Sequence, residues 1–531
     1  MVALTKIDLV DPERIEEMRE QILELIKGSF LEGCPIAPIS SKTGDGFDGF
    51  YDAFVKTVDR TVQRDASGPF RMHVEHTLVL QGLGTIVSGI PRSGAVKVGD
   101  DVELLPGGGT KKVRGVQVYG EEAASGQAGE CVALRLADLS HDEARRGMVL
   151  ATPGYFEPVR FVNASLHVVP NLSRPLKPRT AIRLHIGTTD VTGHLVLPEL
   201  APLAAGGEAY VQLQLNEPVV AAPGDFFVVR QLSPVRTLGG GHVVTPDTVK
   251  MRRSKGNWAQ GVEEKEKAFK DPVTAVTYVF AHAGAAPLHL ADLARQAFFS
   301  EEAVQACLGA LVEQGIAVAL PGERYASGRA LVAAREELLT IMGGMHDATP
   351  LSTGFPKKDV FQGVKSDRTV ADRALDELQK AGKVAAGETG LFLAERAPKL
   401  TPKQAAVAAR LGELYRQKGF SAPRQDEVPA LLGMPEKLIA PIFDYLIQIG
   451  VIVVLTDKVV LHRQSVEESR RRLVEYLQSH GQLESGAFKD VLDTTRKYAI
   501  PLLEYWDAQG LTRRTGNVRT LRQKPGPPGA G

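Results

Sequence analysis

Apolar residues change their spacing three times along this chain, and each change marks a different kind of structure. Between residues 12 and 28, Ile15, Met18, Ile22, Leu25 and Ile26 recur at helical intervals. Val2-Ala3-Leu4 before them reads as the end of a buried strand and Cys34 to Ser40 as a second short strand, while Tyr51, Phe54, Val55 and Val58 mark a closing helix. Residues 1–66 are therefore expected to form βαβα, a piece of a doubly wound sheet too small to close a core of its own. From Phe70 to about Val249 the pattern becomes short alternating runs cut by Gly/Pro turns, such as Thr85-Ile86-Val87 before Ser88-Gly89 and Val102-Glu103-Leu104-Leu105 before Pro106-Gly107. This predicts antiparallel barrels or sandwiches, split near Pro153-Gly154 into units at 68–155 and 156–250.

Beyond about Glu263 the chain becomes helical with short strand pairs, and it repeats. Shifted by 60 residues, Leu432 meets Leu492, Pro441 meets Pro501, Tyr445 meets Tyr505 and Gly450 meets Gly510. In the last copy a helix carries Ala499, Leu502, Leu503 and Trp506 on one face, Gly510 stops it, and a hairpin turns at Gly516-Asn517. Helix-turn-helix followed by a β-hairpin is the winged-helix plan. Two further copies centre on Ser300 to Leu320, stopped by Gly315, and on Thr369 to Ala385, stopped by Gly382. Four winged helices follow, at 260–335, 336–398, 400–464 and 466–524. The stretch Arg252 to Gly256 reads as a linker, and the tail 525–531 as disordered.

Composition narrows the class. The chain has 531 residues, with 63 Lys+Arg against 63 Asp+Glu, so uniform basicity is excluded as a route to nucleic acid and only a local basic patch remains. No apolar run approaches the roughly 20 residues that span a bilayer, and Met1 to Asp11 lacks the order of a signal peptide. No membrane partner is expected. Cys34, Cys131 and Cys307 lie far apart, which excludes a disulfide scaffold and a Cys-rich metal site and fits a reducing cytoplasm.

The chemistry begins at Thr5-Lys6-Ile7-Asp8, which matches the [NT]-K-x-D element that reads guanine. A carboxylate at a strand end accepts the N1–H and 2-amino hydrogens of guanine, a pair adenine does not present, and a Lys stem packs over the base. Four residues of this kind recur by chance, so a second element matters. Ser40-Ser41-Lys42-Thr43-Gly44 follows Asp8 at the end of the next predicted strand, where backbone N–H groups would meet guanine O6. Two such loops on successive strands joined by one helix belong to one crevice. The guanine candidates are Thr5, Lys6, Asp8, Ser40, Ser41 and Lys42. No G-x-x-x-x-G-K-[ST] string occurs, so the cradle for β- and γ-phosphates and the Mg²⁺ ligand are not in this sequence. D-x-x-G occurs only after the guanine motif, at Asp65 to Gly68 and Asp190 to Gly193, out of the order a GTPase requires. Met1 would then fall inside a domain. The string Gly82 to Gly89 sits between predicted strands, so tight turns explain it better than a phosphate loop.

Gly82-x-Gly84-Thr85-x-Val87-x-Gly89 with Gly94-x-Val96-x-x-Gly99-Asp100 resembles the second domain of translational GTPases related to elongation factor Tu. Pro223-Gly224-Asp225-Phe226-Phe227-Val228-Val229-Arg230 with Ser233 to Gly241 resembles their third domain. That version, followed by four winged helices and closed by Thr494-Thr495-Arg496-Lys497-Tyr498, is similar to bacterial selenocysteine-specific elongation factors. The resemblance implies a partial α/β GTPase domain, two antiparallel β-barrels and tandem winged helices. It implies GTP, with its Mg²⁺, as cofactor. The implied partners are selenocysteinyl-tRNA, the ribosome and an mRNA hairpin downstream of a UGA codon. Hydrolysis of GTP by this chain alone is not expected. The family's basic pair for the selenocysteine moiety matches His76; its second member falls on Cys131, and Arg135 on the same strand would supply the charge. His73 and His76, three apart on a strand, would face opposite ways and do not make a metal pair.

The RNA face is argued from charge. Residues 428–464 carry three basic and three acidic residues, whereas 488–524 carry eight basic and four acidic. The excess sits at the start of the second helix and on the wing, the positions a winged helix presents to nucleic acid. Thr494 or Thr495 would cap that helix, with free N–H groups beside Arg496 and Lys497 for a phosphate. Tyr498 would stack on a splayed base. The hairpin candidates are Thr495, Arg496, Lys497, Tyr498, Arg513, Arg514 and Arg519, with the earlier repeats as neutral spacers. The competing readings are a non-enzymatic RNA-binding adaptor and a DNA-binding winged-helix regulator.

Overall fold

The computed structural model describes residues 1–522 apart from 63, 65, 81–83, 141, 253–256 and 388. Asp65, Gly82, Leu83, most of the expected linker and the tail 525–531 lie outside the described residues. The described chain groups into two compact units, Met1–Thr274 with Ala297–Ser300, and Ala275–Gln296 with everything from Glu301 onward.

The first unit opens with the expected βαβα. Strands Val2–Thr5 and Ile36–Ile39 pair in parallel, with Thr5 opposite Ile39. The crossover helix Pro12–Ile26 starts where Asp11 accepts the Arg14 N–H. It buries only Ile26, and the helix Phe47–Asp59 buries nothing. Two strands cannot cover both helices, so Phe30, Tyr51 and Phe54 stay exposed.

The all-β region forms two bodies. In the first, the sheet runs His76–Leu80, Gly84–Gly89, Val132–Leu136, Gly109–Val118, Asp101–Leu105, Val149–Ala151, Arg71–His73 and Pro91–Ser93. Alternation decides the faces: Val132, Leu134 and Leu136 point into the core, Ala133 and Arg135 outward. Gly84–Gly89 is itself a strand, paired with His76–Leu80, and not the run of tight turns between strands that its glycines suggest; Thr85 and Val87 turn into the core and hold it in the sheet. The second body is a closed six-stranded barrel, in the order Val159–Val168, Glu208–Val219, Thr189–Val196, Arg179–Ile186, Phe226–Arg230 and Thr237–Asp247. Its glycine run lets strands approach: a Cβ on Gly241 would stand 1.9 Å from the Ser165 carbonyl oxygen.

A buried ion pair joins the two bodies. Arg71 donates to both oxygens of Asp225, at 2.5 Å each. Thr188 donates to the Val74 carbonyl and Thr189 to that of Gly147. Burial alone would raise the Asp225 carboxyl, but Arg71 and the Ala222 N–H outweigh it and hold it below the usual carboxylate range. His73, at the end of the strand Arg71–His73, is buried here. Its ring packs on Gly187, and burial, reinforced by Arg71, lowers its pKa to about 4.

In the second unit four winged helices run in series. Their helix-turn-helix pairs are Leu290–Ala297 with Glu301–Glu313, Lys357–Gln362 with Arg368–Lys380, Val428–Leu432 with Glu436–Gln448, and Phe488–Val491 with Arg496–Ala508. Each second helix is followed by a glycine at positive φ and then a wing: Gly315, Gly382, Gly450 and Gly510. The expected boundaries shift. The helix Gly328–Ala348 runs through the 335/336 junction, and Arg463–His480 follows the wing strand Val459–His462 directly. The reason is packing. Leu331, Ala334, Leu338 and Met342 of the first of these helices belong to the same core as Val370, Leu375 and Leu378. The third and fourth copies likewise share one core, from Val407 to Trp506. The earlier copies are packed neighbours, so describing them as spacers is incomplete.

Candidate functional site

The three groups of candidate residues stand in different surroundings. At the amino end, both candidate loops leave the same end of the parallel strand pair. Lys6 adopts the left-handed conformation, φ 63°, and turns the chain into the short helix Ile7–Leu9 that carries Asp8. Ser40, fully buried, donates to Asp8 Oδ1 at 2.7 Å and so orients the carboxylate. Ser40 Oγ also accepts the Lys42 and Thr43 N–H groups at 3.2 Å, and Gly44 N donates to the Ser40 carbonyl. Those amides are therefore turned inward; of the loop N–H groups expected to face a base, Ser41's is the one left without a partner among the described residues. Thr5, Lys6, Asp8, Ser41 and Lys42 are exposed. A shallow open groove beside Asp8 is lined by Leu9, Val10, Asp11 and Arg14 and not by the second loop.

On the first β body, the register sets His76 opposite Ser88 and Ser88 opposite Ala133, with Arg135 opposite Ile86. His76, Cys131, Ala133 and Arg135 thus share an outward face. Arg135 nevertheless leans away from His76. Its guanidinium lies over Gly115 on the far neighbouring strand and donates to the Arg114 carbonyl at 3.1 Å. With His76 two strands away, about 10 Å at ordinary strand spacing, the two side chains do not form the expected pair.

The fourth winged helix keeps part of its expected face. Arg496 and Lys497 are exposed in the first turn of Arg496–Ala508, and Arg513 and Arg514 are exposed on the wing. Arg496 reaches back over Gly486, and Lys497 Nζ lies 4.9 Å from the Tyr498 ring centroid. Neither threonine caps the helix with its side chain. Thr495 is the N-cap residue but makes no side-chain bond, and Thr494 donates to the Phe420 carbonyl. The helix start is left open.

Two candidates are buried and drop out of this face. Tyr498 is 8% exposed and its hydroxyl donates to the Ala422 carbonyl at 2.8 Å, so the ring cannot stack on a base. Arg519 is 1% exposed; it donates to Asp507 at 2.8 Å and to Ser485 at 2.6 Å. Both burials had a signal. Tyr498 stands one and two turns before Leu502 and Trp506, in the buried stripe. Arg519 shares a strand face with Leu521. Lys489 and Arg522, left out of the candidate set, lie on the same module; Arg522 sits against Gly510.

The four copies differ at the first residue of the second helix: Glu301, Arg368, Glu436 and Arg496. In the second copy Asp367 accepts the Thr369 and Val370 N–H groups and closes the helix start. Only the fourth copy combines a cation with an open start, the arrangement that binds phosphate.

Two family profiles match the chain: "Selenocysteine-specific elongation factor, beta-barrel domain" over residues 163–250, and "Elongation factor SelB, winged helix" over 475–521. The chain is similar to the selenocysteine-specific elongation factor of Desulfomicrobium baculatum, at 27% identity over 532 residues, spanning 99% of this chain and 83% of the relative. It is similar to that of Escherichia coli strain K12 at 23% identity, spanning 98% and 81%. A crystal structure of a bacterial selenocysteine-specific elongation factor, EF-Sec, shares the fold with a TM-score of 0.58 and 22% identity, over 98% of this chain and 81% of that one.

Proposed function

The chain belongs to the SelB family of selenocysteine-specific elongation factors, and from that premise we propose that its fourth winged helix grips an mRNA hairpin while its β bodies carry selenocysteinyl-tRNA to the ribosome in the cytoplasm. The observation that carries this reading is the open, cationic start of the helix Arg496–Ala508 beside the exposed wing cations Arg513 and Arg514. Peptide N–H groups at a helix start and nearby guanidinium groups suit phosphate oxygens, and hairpin loops expose them densely.

Asp8, oriented by Ser40 and flanked by Lys6, supports recognition of a guanine base. Such a site fits the base of GTP. The sequence contains no G-x-x-x-x-G-K-[ST] phosphate loop. On this reading GTP is met here through its base.

The test is a titration of the 531-residue chain with an RNA stem-loop over a range of salt. A steep salt slope and preference over duplex DNA are expected. Arg496→Ala or Lys497→Ala should weaken binding by about 1–3 kcal/mol where the side chain meets a base edge. Equal affinity for a DNA duplex, or no loss in either variant, would remove the hairpin assignment.

A further inference from the structure

The fourth winged helix carries polar side chains at places where the third is apolar. Under the 60-residue shift that superposes Glu436–Gln448 on Arg496–Ala508, Ile447 stands where the fourth copy has Asp507, and Ile452 where it has Thr512. Strand pairing sets Val460 in the place of Arg519, since Val454 pairs with Val460 and Arg514 with Arg519. Ile447, Ile452 and Val460 all pack in the core of their module. Their counterparts form a chain of hydrogen bonds instead. Asp507 Oδ1 accepts the Thr512 hydroxyl at 2.6 Å, and Oδ2 accepts from Arg519 Nε at 2.8 Å. Arg519, 1% exposed, also donates to Ser485 Oγ at 2.6 Å.

Ser485 passes the connection on to the wing. Its hydroxyl donates to the Asn517 carbonyl at 2.7 Å, and its N–H donates to the same oxygen at 2.8 Å. Asn517 and Gly516 make the two-residue turn between Thr512–Thr515 and Val518–Leu521, and the Gly516 carbonyl accepts from Arg514 Nε at 2.9 Å. The residue after Ser485 is Gly486, over which the guanidinium of Arg496 lies. A polar strut thus runs from the end of the second helix to the wing tip, and its last member sits beside the helix start.

Stability does not call for this arrangement. An acid in the last turn of a helix opposes the dipole, and a buried ion pair costs more to desolvate than the apolar side chains that fill the same places in the third copy. What paired donors and acceptors supply is a single distance and angle. We propose that Asp507, Arg519 and Ser485 are positioning residues of the RNA face, holding the wing so that Arg513 and Arg514 engage the same stretch of RNA as Arg496 and Lys497. The inference rests on the hairpin reading of this module. A wing ordered in advance spares the complex the cost of ordering it on binding.

The test compares the full chain with Arg519→Lys, which keeps the charge but cannot bridge Asp507 and Ser485 at once, and with Ser485→Ala, at a half-buried position. In the free chains, amides 512–521 should exchange hydrogen faster in both variants, with 498–508 unchanged. Affinity for an RNA stem-loop should fall about ten-fold, and the salt slope should fall by about two, one for each wing cation released. Ser485→Thr, which keeps the hydroxyl, should restore both. Unchanged wing exchange in Ser485→Ala would overturn the proposal, as would unchanged affinity, or weaker binding with the original salt slope. An unaltered chain that binds no stem-loop overturns the hairpin reading, and the exchange readout, which needs no RNA, then judges the strut alone.

Discussion

Tyr498 and Arg519 show how two residues of the right type can belong to the architecture of a reader and not to its surface. Each has its polar end satisfied inside the protein, Tyr498 by Ala422 and Arg519 by Asp507 and Ser485. Tyr498→Phe deletes one buried hydrogen bond and should cost about 1 kcal/mol of stability with stem-loop affinity unchanged. Arg519→Met removes the ion-pair partner of Asp507, leaves it the Thr512 hydroxyl alone, and should cost about 3 kcal/mol. Urea unfolding beside an RNA titration separates the two properties. A loss of RNA affinity in Tyr498→Phe without a loss of stability would return the tyrosine to the binding face. The burial of both residues was legible in period alone, through Leu502 and Trp506 for the tyrosine and Leu521 for the arginine; their charge and aromaticity pointed the other way.

Among the elements, what distinguishes one winged helix from another is the start of its second helix. Asp367 closes that of the second copy with its own carboxylate, while Thr495 leaves that of the fourth open. Thr495→Asp should therefore act in opposite directions on two observables. A carboxylate at the N-cap stabilises the helix by about 0.5–1 kcal/mol, and it occupies the N–H groups and adds a negative charge where a phosphate would dock. Higher thermal stability with weaker stem-loop binding is the expected pair; unchanged RNA affinity would show that this helix start meets no phosphate. The glycines that end the four helices were readable beforehand because positive φ excludes most other residues. The junction at 335/336 was not, because nothing local tells a helix which of two flanking cores it will join.

At the scale of the molecule, the two β bodies are held by a buried contact whose charge states depend on pH. His73, with a pKa lowered to about 4, is neutral in the folded chain near pH 5, whereas in the unfolded chain it is protonated below about 6.5. Protons then bind the unfolded state preferentially, so stability falls as pH drops from about 6.5 toward 4, by up to about 3 kcal/mol for this group. Asp225 works in the same sense at lower pH, since its carboxyl is held below the ordinary range and its contribution is lost on protonation. Thermal midpoints across this window should decline on the acid side, and His73→Asn should flatten the decline. A wild-type midpoint indifferent to pH between 6.5 and 4 would show that the buried imidazole titrates normally.

By itself the sequence determined the kinds of elements, their order and the repeat, since periodicity and turn glycines are properties of neighbouring residues. It also placed the two candidate loops at one end of the strand pair, because both lie at strand ends within one short βαβ unit. Only the tertiary structure decided which cations reach solvent and that Arg135 leans away from His76. Those outcomes depend on partners far along the chain, such as Ala422 for Tyr498 and Asp225 for Arg71, and a side chain's exposure is set by what folds against it.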